Sequence, residues 1–84
     1  MDLQKAKEMS LKTMQKHNLN DWTFEFSRGM KRIGECNHLK KIIKLSKHFV
    51  IYNDEPLVTN VLLHEIAHAL VGRYNGHNRL WKRK

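Results

Sequence analysis

Eighty-four residues make a single small domain, and a folded chain of this size buries only about 60–65% of the surface it exposes when unfolded. Sixteen Lys and Arg against eight Asp and Glu give a net charge of +8, which favours polyanionic partners and says nothing about fold. A single cysteine excludes an intramolecular disulfide framework, and the apolar runs fall short of the roughly 20 residues that span a bilayer.

Taken in chain order, residues 2–17 predict a helix. Leu3, Ala6, Met9, Ser10, Thr13, Met14 and His17 recur at three- and four-residue spacing, and Lys5, Lys7, Lys12 and Lys16 fall mostly between them. The pattern reads as a helix packed on the domain with a solvated lysine face. The same N-terminal stretch lacks the apolar core of a signal peptide, so a cytoplasmic or DNA-containing compartment is expected, without secretion or a membrane partner.

A β region is expected over 22–52. Trp22-Thr23-Phe24-Glu25-Phe26 alternates in the period of a half-buried strand. Two further strands are expected through Lys41–Leu45 and His48–Tyr52, where Ile42, Ile43, Leu45, Phe49, Val50 and Ile51 concentrate β-branched and aromatic residues. The basic stretch Ser27–Gly34, with Gly29 and Gly34, is expected to hold a turn, a bulge or a short strand. Cys36 reads as a small buried hydrophobe.

Asn53-Asp54-Glu55-Pro56 is a helix start, with Asn53 or Asp54 as cap and an early proline. The helix is expected over 54–71, apolar nearly all round and therefore at the buried centre, with Gly72 ending it. A loop and basic tail follow over 72–84.

Inside this helix stands His64-Glu65-Ile66-Ala67-His68. Two histidines four residues apart project from one helix face, within reach of a single ion, and neutral imidazole suits zinc. Glu65, about 100° further round the helix, can lie beside the metal without ligating it, where a general base for zinc-bound water belongs. Shuffling this composition yields the pentapeptide in about one sequence of forty, so context has to add weight. It does: two histidines and a glutamate interrupt the most apolar segment of the chain, where burial without partners costs free energy.

An open catalytic zinc needs a third protein ligand. Residues 69–84 contain no Asp, Glu or Cys, which makes His77 the candidate, with Gly72 and Gly76 giving the chain freedom to fold back. His17, His38, His48, Asp54 and Cys36 are the alternatives. The spacing departs from the metzincin pattern, since Gly72 and His77 come too late.

At Leu62-Leu63-His64-Glu65-Ile66-Ala67-His68-Ala69-Leu70 and Gly76-His77-Asn78-Arg79-Leu80-Trp81 the sequence resembles the SprT-like (Spartan/Wss1-type) metalloprotease domain. That family places an aromatic four residues after the third histidine, and Trp81 fills the place. Trp22–Phe26, the Gly34-x-Cys36 pair and Ile43-x-Leu45-Ser46 extend the likeness over roughly residues 20–82. The resemblance implies His64, His68 and His77 as ligands of one Zn²⁺ ion and Glu65 as general base. It also implies cleavage of proteins bound or crosslinked to DNA. The fold class expected is α+β: a minimal zincin-like domain with an N-terminal helix, a small antiparallel sheet of about three strands and a buried helix carrying the histidines.

Charge points to the second partner. Lys40, Lys41, Lys44 and Lys47 crowd the β region, and Arg79, Lys82, Arg83 and Lys84 cluster in the tail. Such groups suit sequence-independent contact with phosphates; Trp22 and Trp81 are able to stack on bases of single-stranded DNA, although tryptophans so placed more often belong to the core. The competing reading is a non-catalytic, zinc-stabilised DNA-binding or adaptor module of the same fold. Structural zinc normally takes four protein ligands, often cysteines, and the one cysteine here argues for an open position.

Overall fold

The computed structural model describes residues 1–29 and 31–74. Its elements are α1 (Leu3–Lys16), β1 (Thr23–Ser27), β2 (Gly34–Asn37), β3 (Ile42–Ser46), α2 (Lys47–Tyr52) and α3 (Glu55–Tyr74). The class is α+β, as the sequence implied.

Asp2 caps α1, its Oδ1 accepting from the Gln4 N–H at 3.3 Å. Ala6, Ser10 and Met14, four residues apart, form the buried stripe, while Lys5, Lys7, Lys12 and Lys16 stay in solvent. The helix closes in a Schellman motif. Asn18 takes φ 60°, its N–H reaches Gln15 O at 3.1 Å, and the Leu19 N–H reaches Met14 O at 2.9 Å. Leu19 thereby drops into the core beside Met14.

The sheet has the order β1-β3-β2 and is mixed. β1 runs parallel to β3, pairing Phe24 with Ile43, whereas β2 runs antiparallel to β3, pairing Cys36 with Ile43. The expectation of an antiparallel sheet is therefore corrected. Between β1 and β2 the chain passes β3 to the far edge, and β2 and β3 form a hairpin. Register fixes the faces. Phe24, Phe26, Gly34, Cys36, Ile43 and Leu45 share the side toward the helices, and Glu25, Lys44 and Glu35 line up across the other.

The strand expected over 48–52 is instead the short helix α2. Ser46 decides this: its Oγ accepts from the Phe49 N–H at 3.3 Å and donates to Gly29 O at 3.1 Å, turning the chain off the sheet. Burial then follows one side of a turn, with Val50 inside and His48, Ile51 and Tyr52 outside, rather than alternating. Tertiary capping overrides β-branched propensity here. Ile43, Leu45 and Val50 join Val58, Leu62, Ile66 and Ala69 of α3 in one core.

α3 departs from expectation in two ways. It runs through Gly72 to Tyr74, so glycine does not end it. Nor is it buried all round: Val58, Leu62, Glu65, Ile66 and Ala69 face the core, while Leu57, Asn60, Leu63, His64 and Ala67 are exposed among the described residues. The first intrahelical bond is accepted by Asp54 O from the Val58 N–H at 3.1 Å, which puts the helix start where the cap was expected. No described helix is long and apolar enough to cross a membrane.

Candidate active site

On α3 the four-residue spacing brings His64 and His68 together. Their Nε2 atoms stand 3.1 Å apart, and the rings meet edge-to-face with centroids 4.6 Å apart. His64 is exposed and His68 half-buried. Glu65 turns the other way, into the crevice between α3 and β2, and is only 8% exposed.

The crevice exists because of Gly34. A Cβ at that position would lie 2.9 Å from Glu65 Oε2, closer than real Cβ atoms approach, and 3.0 Å from Val61 Cγ1, tighter than most real contacts. Glycine at the start of β2 lets the helix and its carboxylate lie against the strand. A hollow of about 370 Å³ opens there, walled by Ile33, Gly34, Asn60, Val61, His64 and Glu65. Periodicity places Asn60 and Val61 one turn before His64 and Glu65. That spacing was available in the sequence, but without the strand's position nothing marked these residues or Ile33 as neighbours of the histidines.

Two further groups on β2 and its turn reach the site. Cys36 faces α3, and its thiol is pushed up to about 11, first by burial and then by the negative charge of Glu65. It stays protonated at neutral pH. His38 donates from Nε2–H to the main-chain carbonyl of His68 at 3.0 Å, with Cys36 Sγ 3.9 Å from the same nitrogen. Trp22 meets the His38 ring edge-on at 5.8 Å. This histidine latches the β2–β3 turn onto α3 at the second histidine of the pair.

The remaining candidates are spread out. His17 and His48 lie on α1's end and on α2, and Asp54 is exposed before α3. His77, Arg79, Trp81, Lys82, Arg83 and Lys84 lie outside the described residues. Among the described residues no group of three or more His, Cys, Asp or Glu is gathered to hold a metal ion. Of the lysines, Lys41 pairs with Asp21 at 2.9 Å, and Lys44 stands 3.9 Å from Glu25 with Glu35 across the strand from it. Lys40 and Lys47 are exposed. Trp22 is a core residue, 8% exposed, and offers no stacking face.

A model of the SprT-like family matches residues 3–84, which takes in the whole fold and the histidine pair. The chain belongs to the SprT-like family. That family is associated with metallopeptidase-like domains and typically with zinc. No curated protein matches the chain.

Proposed function

We propose that the chain is a zinc-dependent endopeptidase that hydrolyses peptide bonds in proteins bound or crosslinked to DNA. The observation that carries this reading is a pair of convergent imidazoles on α3, one of which, His64, lines the same hollow as the sequestered carboxylate of Glu65. Two nitrogens on a tetrahedral zinc, each at 2.0–2.1 Å, are separated by about 3.3–3.4 Å. The 3.1 Å between His64 Nε2 and His68 Nε2 fits that requirement with almost no movement of the helix. His64 and His68 would hold the ion, with His77 as the third nitrogen. When bound, zinc supplies Lewis acidity, lowering the pKa of water and polarising a carbonyl.

The chain's own residues do the rest. Glu65 accepts a proton from the attacking water and returns it to the leaving amine. Its position against Gly34 limits its rotamers, so the carboxylate is held in place before substrate arrives. β2 is the edge strand beside the hollow, and its outer backbone groups suit pairing with an extended peptide. Protein substrates are thus recognised first by main chain.

DNA positions the protein substrate in this reading. The net charge of +8 and the exposed Lys40 and Lys47 support it, and Lys41 can exchange an exposed partner worth about 0–1 kcal/mol for a phosphate. Lys44, flanked by two glutamates, is the weakest member of the set. The test is cleavage of a DNA-bound protein by the zinc-loaded chain, with and without single-stranded DNA, at rising salt. Zinc-dependent cleavage accelerated by DNA at low salt is expected. Zinc retained with no cleavage would assign the chain to a non-catalytic module, and rates indifferent to DNA would remove nucleic acid from the function.

A further inference from the structure

Ile33 closes the hollow at Glu65 on one side and opens a second one on the other. This second hollow, of about 490 Å³, is formed by Ile33, Ser46, His48, Phe49, Tyr52 and Asn53. Ile33 is thus a wall common to both, and the groove bounded by α2 adjoins the hollow at Glu65. The Ile33 backbone is fixed, since its carbonyl accepts from the Ser46 N–H at 2.9 Å, yet 48% of the residue remains exposed.

The far wall of the groove is aromatic. Tyr52 is 72% exposed, and its ring is held against His48, one helical turn earlier, with centroids 4.9 Å apart. Phe49 packs partly on the core, and the Asn53 side-chain amide donates to Phe49 O at 2.9 Å, which stiffens the end of α2. In a chain of net charge +8, no Lys, Arg, Asp or Glu among the described residues lines this hollow. A charged side chain entering it would lose water and find no described group of opposite formal charge, whereas a planar apolar one would gain contact with Ile33, Phe49 and Tyr52. Exposed apolar residues scattered singly are ordinary; a cluster that adjoins a candidate site suits the binding of a side chain.

We propose that this groove selects an aromatic side chain on the protein being cleaved. The inference rests on the peptidase reading above and adds a substrate class to it. Ile33 lines both hollows, so the selected side chain belongs within a few residues of the bond attacked. Backbone pairing along β2 admits any extended chain, and the groove supplies the choice among them.

Peptides identical except for Phe, Leu, Ala or Asp beside the cleaved bond provide the test. They are offered to the zinc-loaded full chain for cleavage and titrated by fluorescence anisotropy against the zinc-loaded Glu65→Gln chain. The expected result is a preference for Phe over Ala of about tenfold or more in kcat/KM and in affinity, with Asp last. Tyr52→Ala should bring the Phe-to-Ala ratio within about threefold, while Ile51→Ser, which removes an exposed apolar residue of the same helix outside the groove, should leave that ratio as it was. Equal cleavage of all four peptides overturns the groove and leaves the peptidase standing. Tyr52-dependent binding of the Phe peptide without cleavage by the unmutated chain overturns the peptidase and keeps the groove. No preference in either assay overturns the groove outright.

Discussion

Where α1 meets β1, Met14, Leu19, Trp22 and Phe24 are buried side by side, and the helix ends in a motif that delivers Leu19 to the core. Where α3 meets β2, the contact is made by Gly34, Cys36, Val61 and Glu65, with a carboxylate almost enclosed and a hollow left open. The first contact removes apolar surface from water and does little else. The second gives up packing, holds a charged group in a place where burial is unfavourable, and depends on a missing side chain. A small domain has few such concessions to make, and this one makes them beside the histidine pair. Apolar packing is thus concentrated at the first contact and the candidate site at the second.

Substitutions at the two contacts should therefore fail differently. Glu65→Gln has the largest expected effect: turnover falls by about 10²–10⁴-fold while metal content and thermal melting stay close to those of the unmutated chain. Met14→Ala should do the opposite. It costs about 2–5 kcal/mol in chemical denaturation, and the fraction that remains folded should cleave at the normal kcat. Gly34→Ala lies between, since its methyl must displace Glu65 and Val61. A loss of about 1–3 kcal/mol is expected together with a fall in kcat, and a variant that lost stability with kcat intact would break the link between this glycine and the carboxylate.

The smallest effect sharpens the comparison from the stable side. Ser10 is fully buried in α1, and its hydroxyl has no hydrogen-bond partner among the described residues. Ser10→Ala removes that orphan and improves helix propensity, so a gain of about 1 kcal/mol with unchanged turnover is expected. A loss of stability would show that the hydroxyl is satisfied after all.

Much of the stable half was legible in the sequence. The stripe Ala6, Ser10, Met14 gave α1 to within a residue at each end, and alternation around Phe24 gave β1. His64 and His68 were legible because helical spacing alone brings them together. The rest depended on contacts between distant residues. Nothing local says that β1 pairs parallel with β3, because that choice is made by a crossover to the far edge. His48–Tyr52 carries strand-forming residues, and only the Ser46 cap, anchored to Gly29, turns it into a helix. Gly72 continues α3 because an interior glycine costs only about 1 kcal/mol, which the rest of a long helix outweighs. For Gly34 the sequence leaves a turn, a bulge or a short strand open, and only the helix lying against it shows why a side chain is missing there. His38 is among the alternative third ligands in the sequence, and nothing local to it signals that its Nε2–H reaches the main-chain carbonyl of His68.

The claim on which the chemistry stands is that the α3 pair forms part of a metal site. Titration of zinc into the metal-free full chain, followed calorimetrically, tests it most directly. One ion should bind per chain, binding should be lost or weakened by at least about a hundredfold in both His64→Ala and His68→Ala, and it should persist in Glu65→Gln. Zinc that does not bind, or that binds equally well without either histidine, would contradict the account.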